Sequence, residues 1–228
     1  MKILSKITRI LLIMVLLSAL SQEAFSQRVR FGLYAEPLIS WFSSDTKASV
    51  NDGARPGFAY GLTFNTYFAK NYAFSSGISI INASGRLNYN DTLLIRFKNS
   101  NTELLPGENV VYKIQYVGIP LGVDLKTNQI GYTTFFGNAS LMPKVVIGGK
   151  GDIPAAGIED ENITKELSLF NLGYQLTLGM EYSLGGSTAI VLGLGFENNF
   201  LDITSDHPEQ PVDKIRQYMI RFRLGLNF

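Results

Sequence analysis

The last twelve residues, Gln217–Phe228, read QYMIRFRLGLNF and alternate between two kinds of side chain. Large apolar residues occupy every second position and end at Phe228, whereas the positions between them include Arg221 and Arg223. Successive side chains of a β-strand point to opposite faces, so this segment predicts a strand with one greasy and one polar face. The greasy face turns to the core in a soluble sheet, but to lipid in a membrane barrel.

Seven earlier segments repeat this alternation. They are residues 29–41, 58–68, 74–80, 111–125, 135–145, 170–182 and 190–196. In residues 111–125 the apolar positions change phase, which predicts a β-bulge near Val117, just before Pro120. With the closing segment, eight strands are predicted.

The connections alternate between short and long. Turns at residues 69–72, 126–131 and 184–187 are short, whereas the other connections, at 43–56, 90–110, 148–166 and 204–214, are long and polar. This alternation is typical of a bacterial outer-membrane barrel, in which an even strand number returns both chain ends to the periplasm. The predicted fold is therefore all-β: an eight-stranded antiparallel transmembrane β-barrel, an up-and-down meander of the OmpA type.

The N-terminus has the pattern of an export signal. Lys2, Lys6 and Arg9 accompany an apolar run at residues 10–20, and Ala24 and Ser26 are the small residues that a signal peptidase reads. About eleven apolar residues are too few for a membrane anchor, which needs about twenty. We expect a signal peptide over residues 1–26, one barrel domain over 27–228, and export to the outer membrane.

Composition narrows the classes of function. Removing the signal's three basic residues and one acidic residue from 20 Lys and Arg and 19 Asp and Glu leaves a nearly neutral chain. Such a balance gives no electrostatic reason to expect a nucleic-acid partner. The chain has no cysteine, so disulfides do not stabilise it. A soluble lipocalin-like barrel is the structural alternative, but it would have to accommodate either the interior charges or the many aromatic residues.

The polar faces of the strands predict a charged lumen. Counting from the periplasmic ends places Glu36, Glu197 and Arg221 at mid-height, with Glu36 and Arg221 as cross-strand neighbours. Arg30, Glu181 and Arg223 form a second predicted layer below, and Lys144 also points inward. Charges inside a narrow barrel must be paired. A proton or ion path through these groups is the functional alternative.

Candidate catalytic and ligand-binding residues are few. His207 is the only histidine, and it lies in a predicted loop beside Ser205 and Asp206, where a catalytic triad rarely forms. Residues 148–152 (GGKGD) and 193–196 (GLGF) lack the spacing of phosphate and dinucleotide motifs. Glu159, Asp160 and Glu161 could bind calcium weakly, although the spacing of a dedicated site is absent. We expect no enzyme activity, cofactor or metal.

Several motifs resemble a known family. They are the Ser26-Gln27 signal end, GFAYGLTFNTYFAKNYAFSSGI (Gly57–Ile78), YVGIPLGVDLK (Tyr116–Lys126), LGYQLTLGMEYSL (Leu172–Leu184) and the terminal aromatic Phe228. Together they resemble the small outer-membrane β-barrels of Bacteroidota called PorT-like, over the whole mature chain. The resemblance implies an outer-membrane barrel, and some family members belong to the type IX secretion and gliding machinery. Phe228 resembles the signal that the barrel-assembly machinery reads.

The resulting function hypothesis is a non-enzymatic component of the outer membrane with a structural or assembly role. Its expected partners are outer-membrane lipid, the barrel-assembly machinery during biogenesis, and an envelope protein. The alternatives are a passive pore for small solutes, a membrane-embedded hydrolase, and a surface-binding protein that acts through its long loops.

Overall fold

The computed structural model describes residues 29–205 and 213–228, which form twelve strands and two 3₁₀ helices. The strands are β1 (Val29–Ser44), β2 (Ser49–Ala69), β3 (Tyr72–Tyr89), β4 (Leu93–Arg96), β5 (Asn101–Leu104), β6 (Asn109–Gly118), β7 (Leu121–Lys126), β8 (Thr133–Ile153), β9 (Ile158–Asn162), β10 (Phe170–Gly185), β11 (Thr188–Asn199) and β12 (Ile215–Asn227). The 3₁₀ helices are Pro154–Ala156 and Thr164–Glu166. The predicted signal peptide and His207 lie outside the described residues.

The strands close into an antiparallel barrel. Each barrel strand pairs with the next along the chain, and β12 returns to pair with β1, where Gly32 lies opposite Asn227. Counting β6 and β7 as one wall strand, the ring has eight strands: β1, β2, β3, β6–β7, β8, β10, β11 and β12. The predicted fold class is confirmed. Short turns join the strands at one end of the barrel, the turn end, and long connections join them at the other, the loop end.

The predicted bulge near Val117 is wrong. β6 and β7 keep one register against β3, with Val117 opposite Ile80 and Leu121 opposite Ser76, so the phase does not change across Pro120. The register slips instead against β8, where Gln115 pairs with Gly148 and Tyr116 with Val146, leaving Ile147 as the extra residue. Tyr112, Ile114 and Tyr116 are buried because the lumen is apolar at their level.

The outer wall of the barrel is apolar. Phe31, Phe74 and Leu178 expose 58, 60 and 72 % of their surface. Aromatic rings collect in two bands. At the turn end, rings of Phe68, Tyr72 and Phe74 lie 4.7 to 6.2 Å apart. At the loop end, neighbouring rings lie 5.4 to 6.3 Å apart in a band named here the upper girdle: Trp41, Tyr174, Phe196, Phe200 and Tyr218. An apolar band between two aromatic girdles is the surface of a barrel that lies in lipid.

The strands continue past this band at the loop end. β2 and β8 each have 21 residues, and only four residues, 45–48, connect β1 to β2. Much of the sequence predicted as loop at 43–56 and 148–166 is therefore strand, while the predicted loop at 90–110 contains the β4–β5 hairpin. Within residues 29–205 and 213–228, no helix is long and apolar enough to cross a membrane.

A hydrophobic core fills the lumen at the loop end. Phe42, Leu87 and Tyr112 project into it from the barrel wall, while Ile95 and Phe97 reach it from the β4–β5 hairpin region. All five side chains are essentially inaccessible to solvent. The barrel interior thus has an apolar section, named here the apolar plug, above a polar one.

Candidate functional site

The polar section of the lumen is built around Arg221, which β12 projects inward at mid-height. Its Nη1 lies 3.2 Å from Oε2 of Glu36 and 3.3 Å from Oε1 of Gln175, and its Nη2 lies 3.1 Å from Oε2 of Glu197. Glu36 also accepts a hydrogen bond of 2.6 Å from Nε of Arg223. One guanidinium therefore bridges two carboxylates, and one carboxylate bridges two guanidinium groups.

Lys144 extends this cluster to the far wall. From β8, its ammonium forms an ion pair with Glu197 and donates a hydrogen bond of 2.8 Å to Oδ1 of Asn199. It also lies 4.9 Å from the ring centroid of Tyr116, at the lower edge of the apolar plug. The side chains of Lys144 and Glu197 have no exposed surface. The sequence placed Lys144 inside the barrel without assigning it a partner.

A second cluster lies toward the turn end, around Glu181. Its carboxylate lies 2.5 Å from Nζ of Lys126 and 3.5 Å from Nη1 of Arg30, and it accepts a hydrogen bond of 2.8 Å from Asn227. The predicted layer of Arg30, Glu181 and Arg223 is therefore wrong in one member, because Arg223 binds Glu36 in the cluster above. Lys126 takes its place. Sequence reasoning missed Lys126 because it assigned this residue to a turn.

The register between β1 and β12 explains why Arg223 pairs with Glu36 and not with Glu181. Leu38 is the Cα partner of Arg221, so the residue directly opposite Glu36 is Arg223. Arg221 reaches Glu36 on the diagonal, so the predicted cross-strand pair forms, although the two residues are not directly opposite each other. Counting from the strand ends assumed that the ends are level, whereas barrel strands are tilted and staggered.

The space left in the polar lumen is small. The cavity between the two clusters measures about 30 Å³ and is lined by Asp124, Asn65 and Arg223, among others. A cavity needs at least about 10–15 Å³ to hold one water molecule, so this one has room for only one or two. Asp124 is buried and accepts a hydrogen bond of 2.5 Å from Asn138. Above the clusters, the polar groups of the apolar plug include the buried hydroxyls of Tyr89, Tyr112 and Tyr116, and the first two lie within hydrogen-bond distance of each other.

The long connections cover the apolar plug with a folded cap. Glu166, on the second 3₁₀ helix, is fully buried and accepts bonds of 3.0 and 2.8 Å from the backbone amide and Nε of Arg96. Its backbone carbonyl accepts a bond of 2.9 Å from the amide of Ser205. Beneath it, the hydroxyls of Tyr89 and Tyr112 lie 2.8 Å apart. Glu166 thus joins the second, third and fourth long connections.

A charged cluster stands on the outside of the barrel, beyond the apolar band. Lys113 lies 2.7 Å from Asp152 and 2.9 Å from Asp160. Hydrogen bonds from Lys113 lower the pKa of the Asp160 carboxyl, and those to Asp152 and Asp160 raise the pKa of Lys113. Of the other suggested calcium ligands, Glu161 accepts a bond from Ser100 and Glu159 is exposed on β9. No group of three or more His, Cys, Asp or Glu side chains arranged for a metal occurs among the described residues.

Phe228 lies on the outer wall at the turn end. Its backbone amide donates a hydrogen bond of 2.8 Å to the carbonyl of Phe31, and its ring is 46 % exposed. It is therefore anchored to β1 while its side chain faces outward.

Comparisons with known proteins identify the family. Residues 20–205 match the family described as outer membrane protein beta-barrel domain. Among curated proteins, none matches the sequence significantly. Similar solved structures include the Neisserial surface protein A (11% identity, 87% of this chain and 95% of that one, TM-score 0.46). Others are Ail of Yersinia pestis (10%, 89% and 99%, 0.40) and OprG of Pseudomonas aeruginosa (11%, 88% and 95%, 0.41).

Proposed function

Because this chain belongs to the outer membrane protein beta-barrel domain family and lies in the bacterial outer membrane, we propose that it is a closed, non-enzymatic barrel with a structural role there. The observation that carries this proposal is the filled lumen. Paired charges occupy its middle and an apolar plug occupies its loop end, and the cavity between the two charge clusters measures only about 30 Å³. In the membrane the loop end faces outside and the turn end faces the periplasm.

The filled lumen argues against a passive pore. A solute would have to displace the ion pairs of Arg221 and Lys144, and it would then meet the apolar plug. Removing one member of a buried pair costs about 3–5 kcal/mol, which is a high barrier for a passive route. The plug is lined mainly by hydrocarbon side chains such as Phe42, Leu87 and Ile95, which cannot carry a proton.

Planar-bilayer recording tests the closed lumen. We expect the purified barrel to insert without discrete conductance steps, under conditions in which a known porin added to the same bilayer conducts. Insertion is verified by the heat-dependent shift of the folded band in gels. Discrete openings from the folded barrel, reduced by Arg221→Lys but not by Lys113→Gln, would establish a lumenal pore and overturn the proposal.

A second candidate function is surface binding through the cap. It is supported by the ordered contacts among the long connections: the amide of Lys98 bonds the carbonyl of Asn162 at 2.8 Å, and Glu166 holds Arg96. A rigid cap presents a defined surface, which lowers the entropy cost of binding. Cross-linking from the cap on intact cells tests this function. A partner captured from exposed Glu103, but not from Lys70 in a periplasmic turn, would favour it.

A role in type IX secretion is a narrower proposal that rests on the PorT-like resemblance. Pull-down from native outer membranes should then recover envelope proteins of that system together with the barrel. Recovery of the barrel with lipid alone, under conditions that preserve other envelope complexes, would leave the structural role and remove the secretory one.

A further inference from the structure

Arg216 occupies an unusual position on the outer wall of the barrel. It belongs to the face of β12 that carries Tyr218 and Phe222, and it lies one step above Tyr218 toward the loop end. Tyr218 stacks on Trp41 of β1, with ring centroids 5.8 Å apart and planes 9° apart. Arg216 therefore stands at the upper girdle, where the lipid-facing wall meets the outer headgroups.

The guanidinium of Arg216 lacks a protein partner among the described residues. Its Nε is buried and makes no hydrogen bond. Two carboxylates close to Arg216 in sequence or just after the neighbouring strand have other partners: Asp213 accepts a bond of 2.5 Å from Ser49, and Asp45 accepts one of 2.7 Å from the backbone amide of Lys214. A buried donor without a partner carries a desolvation penalty, which is larger when the group is charged. An anionic acceptor at the guanidinium would remove this penalty.

Four other cations beyond the apolar band illustrate the contrast. Arg86 pairs with Asp52 at 3.2 Å, Arg96 with Glu166 at 2.8 Å, and Lys113 with Asp152 at 2.7 Å. Lys150 approaches Asp160 at 3.7 Å. Among the described residues, neither Arg216 at the upper girdle nor Arg55 on β2 has such a carboxylate, and of the two only Arg216 has a buried donor atom without a partner.

A second unpartnered group lies on the same outer face. Asn198 of β11 is the Cα partner of both Tyr218 and Tyr174, and its Oδ1 is buried without a hydrogen bond. This oxygen can only accept, whereas the guanidinium of Arg216 can only donate. A ligand that satisfies both must carry an anionic oxygen and, close to it, a hydroxyl or amide donor.

We propose that Arg216 and Asn198 bind the phosphorylated sugar headgroup of the glycolipid in the outer leaflet. The guanidinium binds a phosphate oxygen, for which its planar donor fork is suited. Asn198 accepts a hydrogen bond from a sugar hydroxyl or amide, and the acyl chains follow the apolar wall below Tyr218. A free phosphate ion would satisfy Arg216 alone.

Lipid-dependent unfolding tests this site. The barrel is refolded in phosphatidylcholine vesicles with and without lipid A, and the midpoint of heat unfolding is read from the gel shift. Lipid A should raise the midpoint of the native chain. Arg216→Gln should lose at least half of that rise and raise the apparent dissociation constant for lipid A roughly three- to tenfold, as expected for one charge-assisted contact at a partly exposed site. Arg216→Lys should keep part of it.

Lys113→Gln is the matched control, because it removes a cation whose charge is already paired with Asp152. It should keep the full response to lipid A. Dephosphorylated lipid A, or inorganic phosphate added to phosphatidylcholine vesicles, should give little response. The site is refuted if the native chain gives no response, if Arg216→Gln keeps it in full, or if dephosphorylated lipid A or free phosphate acts equally. If Arg216→Gln does not refold, native mass spectrometry compares the lipid A that the native chain and Arg216→Lys retain. Equal retention of dephosphorylated and phosphorylated lipid A would then refute the site.

Discussion

Arg221 donates to Glu36 across the seam that closes the barrel, with its Nη1 3.2 Å from Oε2. β12 and β1 come from opposite ends of the chain, so this pair forms only when the ring is complete. Both side chains are buried. The ion pair therefore links the charge pattern of the lumen to closure of the fold.

The first prediction concerns this pair. Arg221→Met should lower the free energy of unfolding by about 3–5 kcal/mol, because it leaves buried carboxylates with one cation fewer. Adding Glu36→Gln should recover part of the loss, with a coupling energy of at least about 1 kcal/mol. Urea unfolding of the vesicle-embedded barrel measures both values, and Lys113→Met outside the barrel serves as the control. Additive losses in the double variant would show that the two residues are not coupled.

A second prediction concerns the apolar plug. An ideal Cβ on Gly85 would lie 2.3 Å from the ring of Phe42, whereas one on Gly148 would meet Gln115 at an ordinary 3.6 Å. Gly85→Ala should therefore destabilise the barrel by about 1–3 kcal/mol through overpacking. Gly148→Ala should change stability much less. Equal unfolding midpoints for the two variants would contradict the packing described for the plug.

The cap provides a third prediction. Glu166→Ala removes the acceptor of both Arg96 bonds and should loosen residues 91–105 while the barrel stays folded. Proteolysis within the cap should become about tenfold faster, the change expected for a local loss of about 1.4 kcal/mol. The gel shift of the barrel should persist. An unchanged cleavage rate would indicate that Glu166 does not hold the cap.

Acidification should loosen the contact between β8 and β9. The folded-state pKa of Asp160 lies below its ordinary value, because Lys113 donates to the carboxylate. Its contribution is therefore complete above the ordinary carboxyl pKa and is lost as the pH falls through the lowered one. Hydrogen exchange at the Asp160 amide, corrected for the intrinsic pH effect, should accelerate in that acidic window. In Lys113→Gln the window should move toward the ordinary carboxyl pKa.

Sequence predicted the membrane-embedded half of the fold better than the half beyond it. Inside the apolar band, lipid-facing residues such as Phe222 and Leu224 alternate with Arg221 and Arg223, so the two-residue repeat of a β-strand can be recognised in the sequence. Beyond the band the outer face becomes polar while the lumen becomes apolar, and the alternation is inverted. This inversion made Ile114 and Tyr116 look like a phase change and made the ends of β2 and β8 look like loops.

The sequence predicted most of the charged residues that form the candidate site, but not all of the ion pairs between them. The inward charges could be read from alternation, because a lumen residue must be polar where the wall is lipid-facing. The partners of Arg223 and Lys126 depend on strand stagger, which the sequence does not express locally. Glu166 was not recognised, since its burial depends on three connections that are distant in the chain.

The final prediction concerns Phe228, which we propose as part of the signal for assembly. Its amide is bonded to Phe31 of β1 and its ring is exposed on the outer wall at the turn end, which the proposed orientation places in lipid at the periplasmic side. Phe228→Glu should reduce the folded barrel in the outer membrane severalfold, because a charge on the lipid face near the interface costs up to about 1 kcal/mol and the terminal aromatic is lost. Leu105→Glu is the matched control, since Leu105 is 55 % exposed in the cap. Comparing refolding into vesicles with insertion in cells separates the two causes. A defect confined to cells supports recognition by the assembly machinery, whereas an equal defect in both indicates an effect on stability alone. Full yield in cells would refute the assembly role.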